Sequence, residues 1–361
     1  MYNTIKNILF TLDPETAHDV IKNISPVLAP ALRLVIRAHP TLHSPLLRTK
    51  IGGEELQNPI GLAAGFDKNG DVLPLIAALG FGYAELGSIT AEACSGNPKP
   101  RVFRLPDDES LINFMGLPNI GATAFAHKMS VTNTSLPYGV NIAKTPGFVE
   151  CATRAPTDIG DFVKSFEQLH AFGFYTTINL SCPNTGDTKT FEDLVLFKEL
   201  ATAIMLSKKS QNSHQPIFLK LSPDLEDAKL HALVERACEF GFDGFVLGNT
   251  TRQRPALRTE LDANLQSRGG LSGRALAPLS NALIKKVFQI VGRNKTLVAV
   301  GGINSMEDLL TKLQYGAELF QIYTGLIYQG PFFVKTLLHG LVQHCEKMGV
   351  KNYRDVVGLA H

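Results

Sequence analysis

The chain has 361 residues, of which 44% are hydrophobic and 19% are charged, and its formal net charge is +2. This length suits one large α/β domain or two ordinary domains, and the composition is typical of a globular protein. The charge is nearly balanced, and no basic run with interleaved aromatic residues occurs. We therefore expect no nucleic-acid partner.

The cysteines and the apolar segments limit the kinds of site and setting. No stretch of about 18 apolar residues occurs, so no transmembrane helix is predicted. The N-terminus lacks the basic region, long apolar core and small-residue cleavage site of a secretory signal. The cysteines lack CxxC spacing, which indicates a reducing compartment and no metal site. They are Cys94, Cys151, Cys182, Cys238 and Cys345.

Residues 1–45 predict a helical extension. Asp13-Pro14-Glu15 is a typical helix start, with Asp as N-cap and Pro at the first helical position. A further apolar helix is predicted over 27–36. These helices are too apolar to lie free in water and too short to cross a bilayer, so they pack on the main domain, lie on a membrane surface, or do both with different faces. The first helix is indicated by Ile5, Ile8, Leu9 and Leu12.

From about residue 50, short apolar runs alternate with amphipathic helical patterns. Eight such pairs predict a (β/α)8 TIM barrel. An open doubly wound sheet has the same alternation, but no GxGxxG follows the first strand, and about 310 residues suit a barrel. The predicted strands are 60–64, 83–89, 138–143, 175–180, 217–221, 244–248, 297–301 and 319–323. The predicted helices are 72–79, 121–129, 159–171, 191–208, 225–240, 277–291, 306–314 and 332–348.

Polar residues and glycines follow the predicted strands. In a (β/α)8 barrel the loops after the strands build the active site. Any one of these residues is explained by a turn, but eight polar loops at the same end indicate a ligand site. In chain order they lie at 63–70, Gly87-Ser88, Asn141, 179–184, Lys220, 248–251, 301–303 and 323–325.

The stretch 179–184 contains the group that most readily takes a proton from carbon. It follows the β-branched run 175–178, and Pro183 prevents the strand from continuing. Cys182 lies between Asn179 and Asn184, and its thiol has an unperturbed pKa of about 8.5, far below that of a hydroxyl. The alternative is a polar loop with one inert, buried Cys.

The chemistry of these loops suits a flavin and a ring-shaped substrate. Backbone N–H groups and a hydroxyl at Gly302 and 323–325 suit a phosphate, and the glycines of 269–273 allow a close approach. Lys220 would place a cation beside a ring system and favour its anionic reduced state. Asparagine side chains both donate and accept, so they match cyclic imide and amide edges. Lys68 is a candidate for binding a carboxylate.

Seven motifs, in this order and near these spacings, resemble the dihydroorotate dehydrogenase family. The resemblance covers almost the whole chain. The N-terminal LDPETAH, the two-helix segment and FDKNG resemble the membrane-associated, quinone-using class 2 members. Cys182 instead resembles the soluble class 1 enzymes, because class 2 usually has Ser there. The motifs are AAGFDKNG, GNPKPRVFRLP, NLSCPN, GNTT, GGLSGR, VGGI and YTG.

The resemblance implies oxidation of (S)-dihydroorotate to orotate in pyrimidine (UMP) synthesis, with FMN taking the hydride and a quinone reoxidising it. It implies that Cys182 is the base that removes the C5 proton while hydride leaves C6. FMN would contact Ala63, Ala64, Gly65, Phe66, Asp67, Ser88, Asn141, Asn179, Lys220, Gly248, Gly273, Gly302, Tyr323 and Thr324. The substrate would contact Lys68, Asn113, Met115, Leu117, Asn179, Asn184, Asn249 and Thr250.

The N-terminal extension is expected to serve the quinone. The resemblance implies a membrane- and quinone-binding extension over 1–45, at the cytoplasmic face of a membrane, followed by an FMN-binding barrel over 46–361. His18 and Arg104 are the candidate contacts for the quinone head group. Alternatively, His18 is a helix-face histidine and Arg104 is a surface or phosphate-side cation.

Three other functions stay open at the level of the residues. The first is a class 1 enzyme using fumarate or NAD, which Cys182 suggests; an NAD-linked form would need an iron–sulfur partner subunit. The second is a non-redox barrel, such as a lyase or isomerase, that binds a phosphorylated metabolite. The third is a membrane-surface binding module whose barrel is only structural.

Overall fold

The structure is a computed structural model that describes residues 2–36, 39–147, 158–180 and 191–360. Strands and helices are numbered in chain order within these ranges. The strands are β1 (Thr49–Ile51), β2 (Glu54–Leu56), β3 (Ile60–Leu62), β4 (Tyr83–Ile89), β5 (Val102–Leu105), β6 (Ser110–Asn113), β7 (Tyr138–Ile142), β8 (Thr176–Asn179), β9 (Ile217–Leu221), β10 (Gly244–Leu247), β11 (Gly270–Gly273), β12 (Thr296–Val300) and β13 (Leu319–Ile322). The helices are α1 (Tyr2–Thr11), α2 (Pro14–Ile36), α3 (Leu73–Ala78), α4 (Ala122–Ser130), α5 (Asp158–Leu169), α6 (Leu194–Ser210), α7 (Asp227–Glu239), α8 (Ala263–Ser267), α9 (Ala277–Val291), α10 (Met306–Gln314), α11 (Thr324–Gln329) and α12 (Phe333–Met348).

Eight parallel strands close into a barrel in the order β3-β4-β7-β8-β9-β10-β12-β13, and β13 pairs with β3. Nearly every residue of these strands is buried, because one face packs inside the barrel and the other packs against helices. The predicted (β/α)8 barrel is therefore confirmed. Helix α6 begins three residues later than predicted because the Asp193 carboxylate caps it, accepting from the N–H groups of Val195 and Leu196 at 3.0 and 3.2 Å.

Two small antiparallel sheets, which the sequence patterns did not predict, close the two ends of the barrel. The hairpin β1–β2 lies at the amino ends of the strands, where its Ile51 and Leu56 join a buried apolar cluster with inward-facing barrel residues such as Phe218. At the other end, β6 pairs with β5 on one side and with β11 on the other. The loops for which a ligand site is predicted thus lie between the barrel and this three-stranded sheet.

Two glycines within barrel strands make room for tyrosine rings. A Cβ atom on Gly61 would lie 2.3 Å from the ring of Tyr83, and one on Gly139 would lie 2.2 Å from the ring of Tyr175. Both tyrosines are fully buried in the barrel interior. Any side chain at either glycine would therefore clash with the ring that fills the barrel.

The two predicted segments after Asp13 form one continuous helix, α2. The Asp13 carboxylate accepts from the N–H groups of Glu15 and Thr16, as expected of an N-cap. Helix α2 continues past Pro26 and Pro30. Pro26 has no N–H for the carbonyl of Lys22, but the Ser25 hydroxyl donates to that carbonyl at 2.8 Å. This replacement bond explains why the helix does not end there.

The extension packs on the barrel with one face and exposes apolar groups on the other. Ile36 and Leu42 are buried in the main core, whereas Val27 is 82% exposed and Leu34 is 79% exposed. Within the described ranges, no helix is both long enough and apolar enough to cross a membrane.

Candidate functional site

A cavity lies where the carboxyl ends of the barrel strands meet the three-stranded sheet. Strand ends supply amides, hydroxyls, glycines and two lysines, and β6, β11 and the loop after β6 form the opposite wall. The predicted residues that line the cavity are Ala63, Ala64, Gly65, Lys68, Ser88, Asn113, Met115, Leu117, Asn179, Lys220, Asn249, Thr250, Gly273, Gly302, Tyr323 and Thr324. The chain thus brings together most of the residues that were selected from its sequence.

Asn141 lies behind this lining, in contact with Ser88. The Ser88 hydroxyl donates to Asn141 Oδ1 at 2.5 Å and accepts from Asn179 Nδ2 at 3.1 Å. Asn141 Nδ2 donates at 2.7 Å to Glu85 Oε1, and Glu85 is fully buried. Asn141 therefore contacts the lining residue Ser88 and the buried Glu85 rather than the open cavity.

Lys68 is the cation best placed for an anionic group of a ligand. Its ammonium group donates to the carbonyl of Gly65 at 2.8 Å, and the side chain lines the cavity. Burial, together with the nearby Arg101 guanidinium, lowers the pKa of Lys68 to about 8. A bound carboxylate would therefore favour the charged lysine. The second cation, Lys220, is 5% exposed and also lines the cavity.

Besides Asn141, three predicted flavin contacts do not line the cavity. The Asp67 carboxylate accepts from the N–H groups of Asp71 and Val72 at 2.7 and 2.9 Å, and it therefore holds the turn that leads into α3. Burial raises the pKa of Asp67. Gly248 follows β10, and a Cβ atom there would lie 2.2 Å from the carbonyl oxygen of Val300, so only glycine fits. The third, Phe66, lies toward the N-terminal extension.

A row of rings links α2 to the cavity. The ring of Phe66 lies edge-on to His18, with centroids 5.1 Å apart, and edge-on to Tyr323, at 5.3 Å. Tyr323 lines the cavity. Burial and the charge of Lys68 lower the pKa of His18. His18 is thus a half-buried group on the helix face toward the site.

Arg104 contacts the carboxyl end of α1. Its guanidinium donates to the carbonyl of Leu12 at 2.7 Å and lies over the ring of Phe10, 4.6 Å from its centroid. A cation at the carbonyl end of a helix interacts favourably with the helix dipole. Arg104 contacts the end of α1, His18 lies on α2, and neither residue lines the cavity itself.

The loop after β6 forms the wall of the cavity that contains the predicted substrate contacts Asn113, Met115 and Leu117. Asn113 ends β6, and Met115, Gly116 and Leu117 follow it along the wall. Leu117 has φ of +57°, in the left-handed region that non-glycine residues rarely adopt. Such backbone strain is often found at binding sites.

Several lining or supporting residues had not been selected from the sequence. Ser272 Oγ lies 2.9 Å from Thr324 Oγ1 and joins β11 to the end of β13. Gln321 lines the cavity and donates to Glu85 at 2.8 Å. A charged residue in the otherwise apolar or small β4 run is the signal that could have identified Glu85. Ser272 lies in a strand that is recognised only through its pairing with β6.

Cys182 and Asn184 lie outside the described residues, so their predicted roles stay predictions. Among the residues that are described, no group of three or more His, Cys, Asp or Glu side chains is arranged to hold a metal ion. A larger cavity, of about 870 Å³, lies at the opposite end of the barrel, around the β1–β2 hairpin. Its charged side chains are mostly exposed, and several of them pair with one another, as Arg354 does with Glu318 at 2.6 Å.

Comparison with known proteins agrees with this arrangement. The family model described as Dihydroorotate dehydrogenase matches residues 46–344. The chain is 34% identical over 360 residues to dihydroorotate dehydrogenase (quinone) of Natronomonas pharaonis, and the match covers 99% of each chain. It is 35% identical over 361 residues to dihydroorotate dehydrogenase (quinone) of Mycobacterium sp. strain KMS, and this match covers 99% of the present chain and 98% of the relative. It also resembles the crystal structure of dihydroorotate dehydrogenase from Eimeria tenella in complex with ferulenol, with a TM-score of 0.83 and 30% identity over 97% of this chain and 96% of that one. The chain therefore belongs to the dihydroorotate dehydrogenase family.

Proposed function

We propose that this chain oxidises (S)-dihydroorotate to orotate in de novo pyrimidine synthesis, with FMN as the bound cofactor and a quinone as the final acceptor. The observation that carries the proposal is one cavity that is lined by Lys68 together with the amides of Asn113, Asn179 and Asn249. A cation beside several amides suits a ring that has a carboxylate and imide edges.

The residues present fit FMN. The turns at Gly273 and Gly302 have positive φ, and a Cβ atom at either would clash with neighbouring chain, so both require glycine. Glycine turns of this kind leave the backbone open to the close approach of a phosphate. The paired hydroxyls of Ser272 and Thr324 lie in the same wall. Lys220 supplies a buried cation for the ring, and Asn179 Oδ1 is a buried acceptor with no hydrogen-bond partner among the described residues. When bound, FMN supplies the acceptor for the substrate hydride and delivers both electrons to the quinone.

The substrate is held by groups around the cavity wall. Lys68 binds its carboxylate, and the amides of Asn113, Asn179, Asn184 and Asn249 pair with its ring edge. Thr250, Met115 and Leu117 complete the wall. Positioning of this kind supplies much of the rate acceleration.

Cys182 acts as the base. Its thiolate takes the C5 proton as the C6 hydrogen leaves with its electron pair, so the ring loses one proton and one hydride and gains the C5–C6 double bond. Cys182 follows β8 by three residues, and β8 places Asn179 in the cavity wall.

The N-terminal extension delivers the quinone, and its exposed face lies on the cytoplasmic face of a membrane. Of the fifteen large apolar side chains that are exposed in the described residues, eight lie between Ile5 and Val35. The rings of His18, Phe66 and Tyr323 link this region to the cavity. We propose 1–45 as the quinone- and membrane-binding part, with His18 and Arg104 at the head group, and 46–361 as the FMN-binding barrel.

The test is a visible spectrum of the purified protein before and after dihydroorotate is added. A yellow protein whose flavin bleaches supports the proposal; a colourless protein, or a flavin that the substrate does not bleach, contradicts it. Turnover with quinone, fumarate and NAD then separates the quinone-linked enzyme from the class 1 alternatives.

A further inference from the structure

A carboxylate in the barrel interior accepts hydrogen bonds from four side chains. Glu85 of β4 is fully buried and does not line the cavity. Its oxygens accept from Asn141 Nδ2 at 2.7 Å, Gln321 Nε2 at 2.8 Å, the Tyr175 hydroxyl at 2.8 Å and the Thr177 hydroxyl at 3.2 Å. Four donors match the acceptor capacity of an ionised carboxylate, as a buried charge requires.

This carboxylate imposes a direction on the hydrogen bonds that lead to the cavity. An ionised carboxylate only accepts, so Asn141 must turn its Nδ2 toward Glu85 and its Oδ1 toward Ser88. The Ser88 hydroxyl then donates its hydrogen to Asn141 Oδ1 and is left to accept from Asn179 Nδ2. These three bonds, from Glu85 through Asn141 and Ser88 to Asn179, form a relay in which each link determines the next.

The relay ends at Asn179 Oδ1. This oxygen is buried and has no hydrogen-bond partner among the described residues, and Asn179 lines the cavity. One N–H of Asn179 Nδ2 donates to Ser88, and Oδ1 is the buried atom of this amide that lacks a partner, so the amide offers an acceptor to a ligand. A buried acceptor without a partner is costly, so a ligand N–H at this position would be strongly favoured.

We infer that Glu85 is a positioning residue that sets the amide of Asn179, through Asn141 and Ser88, as the acceptor for a ring N–H of the substrate. The inference rests on the proposed function, since dihydroorotate and orotate both have ring N–H groups. A neutral amide at position 85 can donate as well as accept. It would therefore allow the donor and the acceptor to exchange in all three hydrogen bonds of the relay.

The experiment titrates the full-length, flavin-loaded protein with orotate and follows the flavin absorbance. Glu85→Gln is expected to weaken orotate binding by about tenfold or more, with flavin still bound. Thr177→Val is the matched control, because it removes one donor from the same carboxylate without changing the direction of the relay; its Kd should stay within about twofold of the wild-type value. An unchanged Kd for Glu85→Gln, or an equal loss in both variants, would overturn the inference.

A double variant separates orientation from mere structural support. In Glu85→Gln with Asn141→Asp, the carboxylate moves one link along the relay. The carboxylate at position 141 can accept from both the amide at position 85 and the Ser88 hydroxyl, so Asn179 keeps its orientation. We expect Asn141→Asp alone to weaken orotate binding and the double variant to recover most of the affinity. A purely structural role for Glu85 predicts instead that the two losses add.

Ser88→Ala tests the middle link if Glu85→Gln does not fold. It should weaken orotate binding by about tenfold in the presence of saturating FMN, and an unchanged Kd would overturn the inference. Failure of the proposed function has a different result: the wild-type protein would neither bind orotate nor bleach with dihydroorotate. If the wild-type protein binds orotate and is bleached by dihydroorotate, but Glu85→Gln and Ser88→Ala bind orotate as well as Thr177→Val does, only the relay is refuted.

Discussion

Glu15 and Arg101 form a buried ion pair that ties the N-terminal extension to the wall of the cavity at the carboxyl ends of the barrel strands. Arg101 Nε lies 3.2 Å from both carboxylate oxygens of Glu15, and Nη2 lies 3.1 Å from one of them. The two side chains are only 14% and 8% exposed. Arg101 also donates to the carbonyls of Asn97 and Met115, and Met115 lines the cavity. One guanidinium thus joins the first turn of α2 to the cavity wall.

Glu15→Gln should lower the free energy of unfolding by about 1–3 kcal/mol, because the buried guanidinium loses its charged partner. It should also raise the KM for dihydroorotate, since Arg101 supports Met115. Urea unfolding and flavin reduction by the substrate measure the two effects. Glu55→Gln is the control, because Glu55 pairs with Lys50 in an exposed hairpin and should change neither quantity. Equal behaviour of the two variants would show that the Glu15 pair stabilises nothing.

Orotate binding should weaken as the pH rises above about 8. The pKa of Lys68 is lowered to about 8 in the free protein, so the cation that we propose as the carboxylate contact is lost above that pH. The Kd should then rise by up to about tenfold per pH unit until the ligand-bound pKa is reached. Lys68→Arg keeps its charge and should remove this dependence. A wild-type Kd that is flat from about pH 7 to pH 9 would exclude Lys68 as the carboxylate contact.

Cys182→Ala should slow flavin reduction by dihydroorotate by about 10²–10⁴-fold while FMN stays bound. Cys182→Ser should retain some activity, with its pH profile moved to higher pH, because a hydroxyl is a much weaker acid than a thiol. Stopped-flow absorbance measures both rates. Cys238→Ser, on α7 and outside the cavity lining, is the control and should leave the rate unchanged. Fast bleaching in the alanine variant would remove Cys182 as the base.

Val27→Glu with Leu34→Glu should abolish co-sedimentation with phospholipid vesicles and slow quinone reduction. These side chains are 82% and 79% exposed on α2, so the changes place charges on the face proposed to lie on the membrane without affecting the core. Flavin reduction by dihydroorotate should be unaffected. As a control, Val131→Glu with Val195→Glu changes similarly exposed groups, one just after α4 and one on α6. Vesicle binding that depends equally on both pairs would argue against a specific membrane face.

The stability of the protein should rise as the pH is raised from about 7 toward 10. Lys312 is fully buried, donates to Ser280 Oγ and Asn281 Oδ1 at 3.0 and 2.7 Å, and has a pKa lowered by burial to about 7. The unfolded chain keeps the ordinary pKa and so binds more protons over this range, which favours folding by up to about 1.4 kcal/mol per pH unit. Lys312→Met should flatten the dependence. Urea unfolding at about pH 7 and pH 9 measures it.

The eight barrel strands were predictable because each is a short apolar run in an alternating series. The sheet over the barrel mouth was not, because β11 pairs with β6 about 160 residues earlier, and such pairing leaves no local signal. The β1–β2 hairpin was missed because Ile51 and Leu56 are its only buried apolar residues, one at the end of each short strand. The continuity of α2 through Pro26 and Pro30 was not predicted either, because it depends on the hydroxyl of Ser25, which replaces one lost bond.

The site was predictable where a polar residue ends a strand and faces the cavity, as with Ser88, Asn179 and Lys220. The site was less predictable where a residue acts from behind the side chains that line the cavity. Asp67 lies in the expected loop but holds the turn before α3, and this role becomes visible only in the folded chain. Glu85 has four partners from three other strands or strand entrances, and no spacing in the sequence indicates them.

Each of the two glycines within the barrel strands restricts the residue that is possible at one position distant in the sequence. Because the ring of Tyr83 occupies the space beside Gly61, and the ring of Tyr175 the space beside Gly139, neither glycine can gain a side chain while its tyrosine stays. A relative that gained a side chain at the first position would need a smaller residue at the second. Related chains should therefore vary these positions jointly, as large–small exchanges across neighbouring strands, and a designer who enlarges one position must reduce the other in the same step.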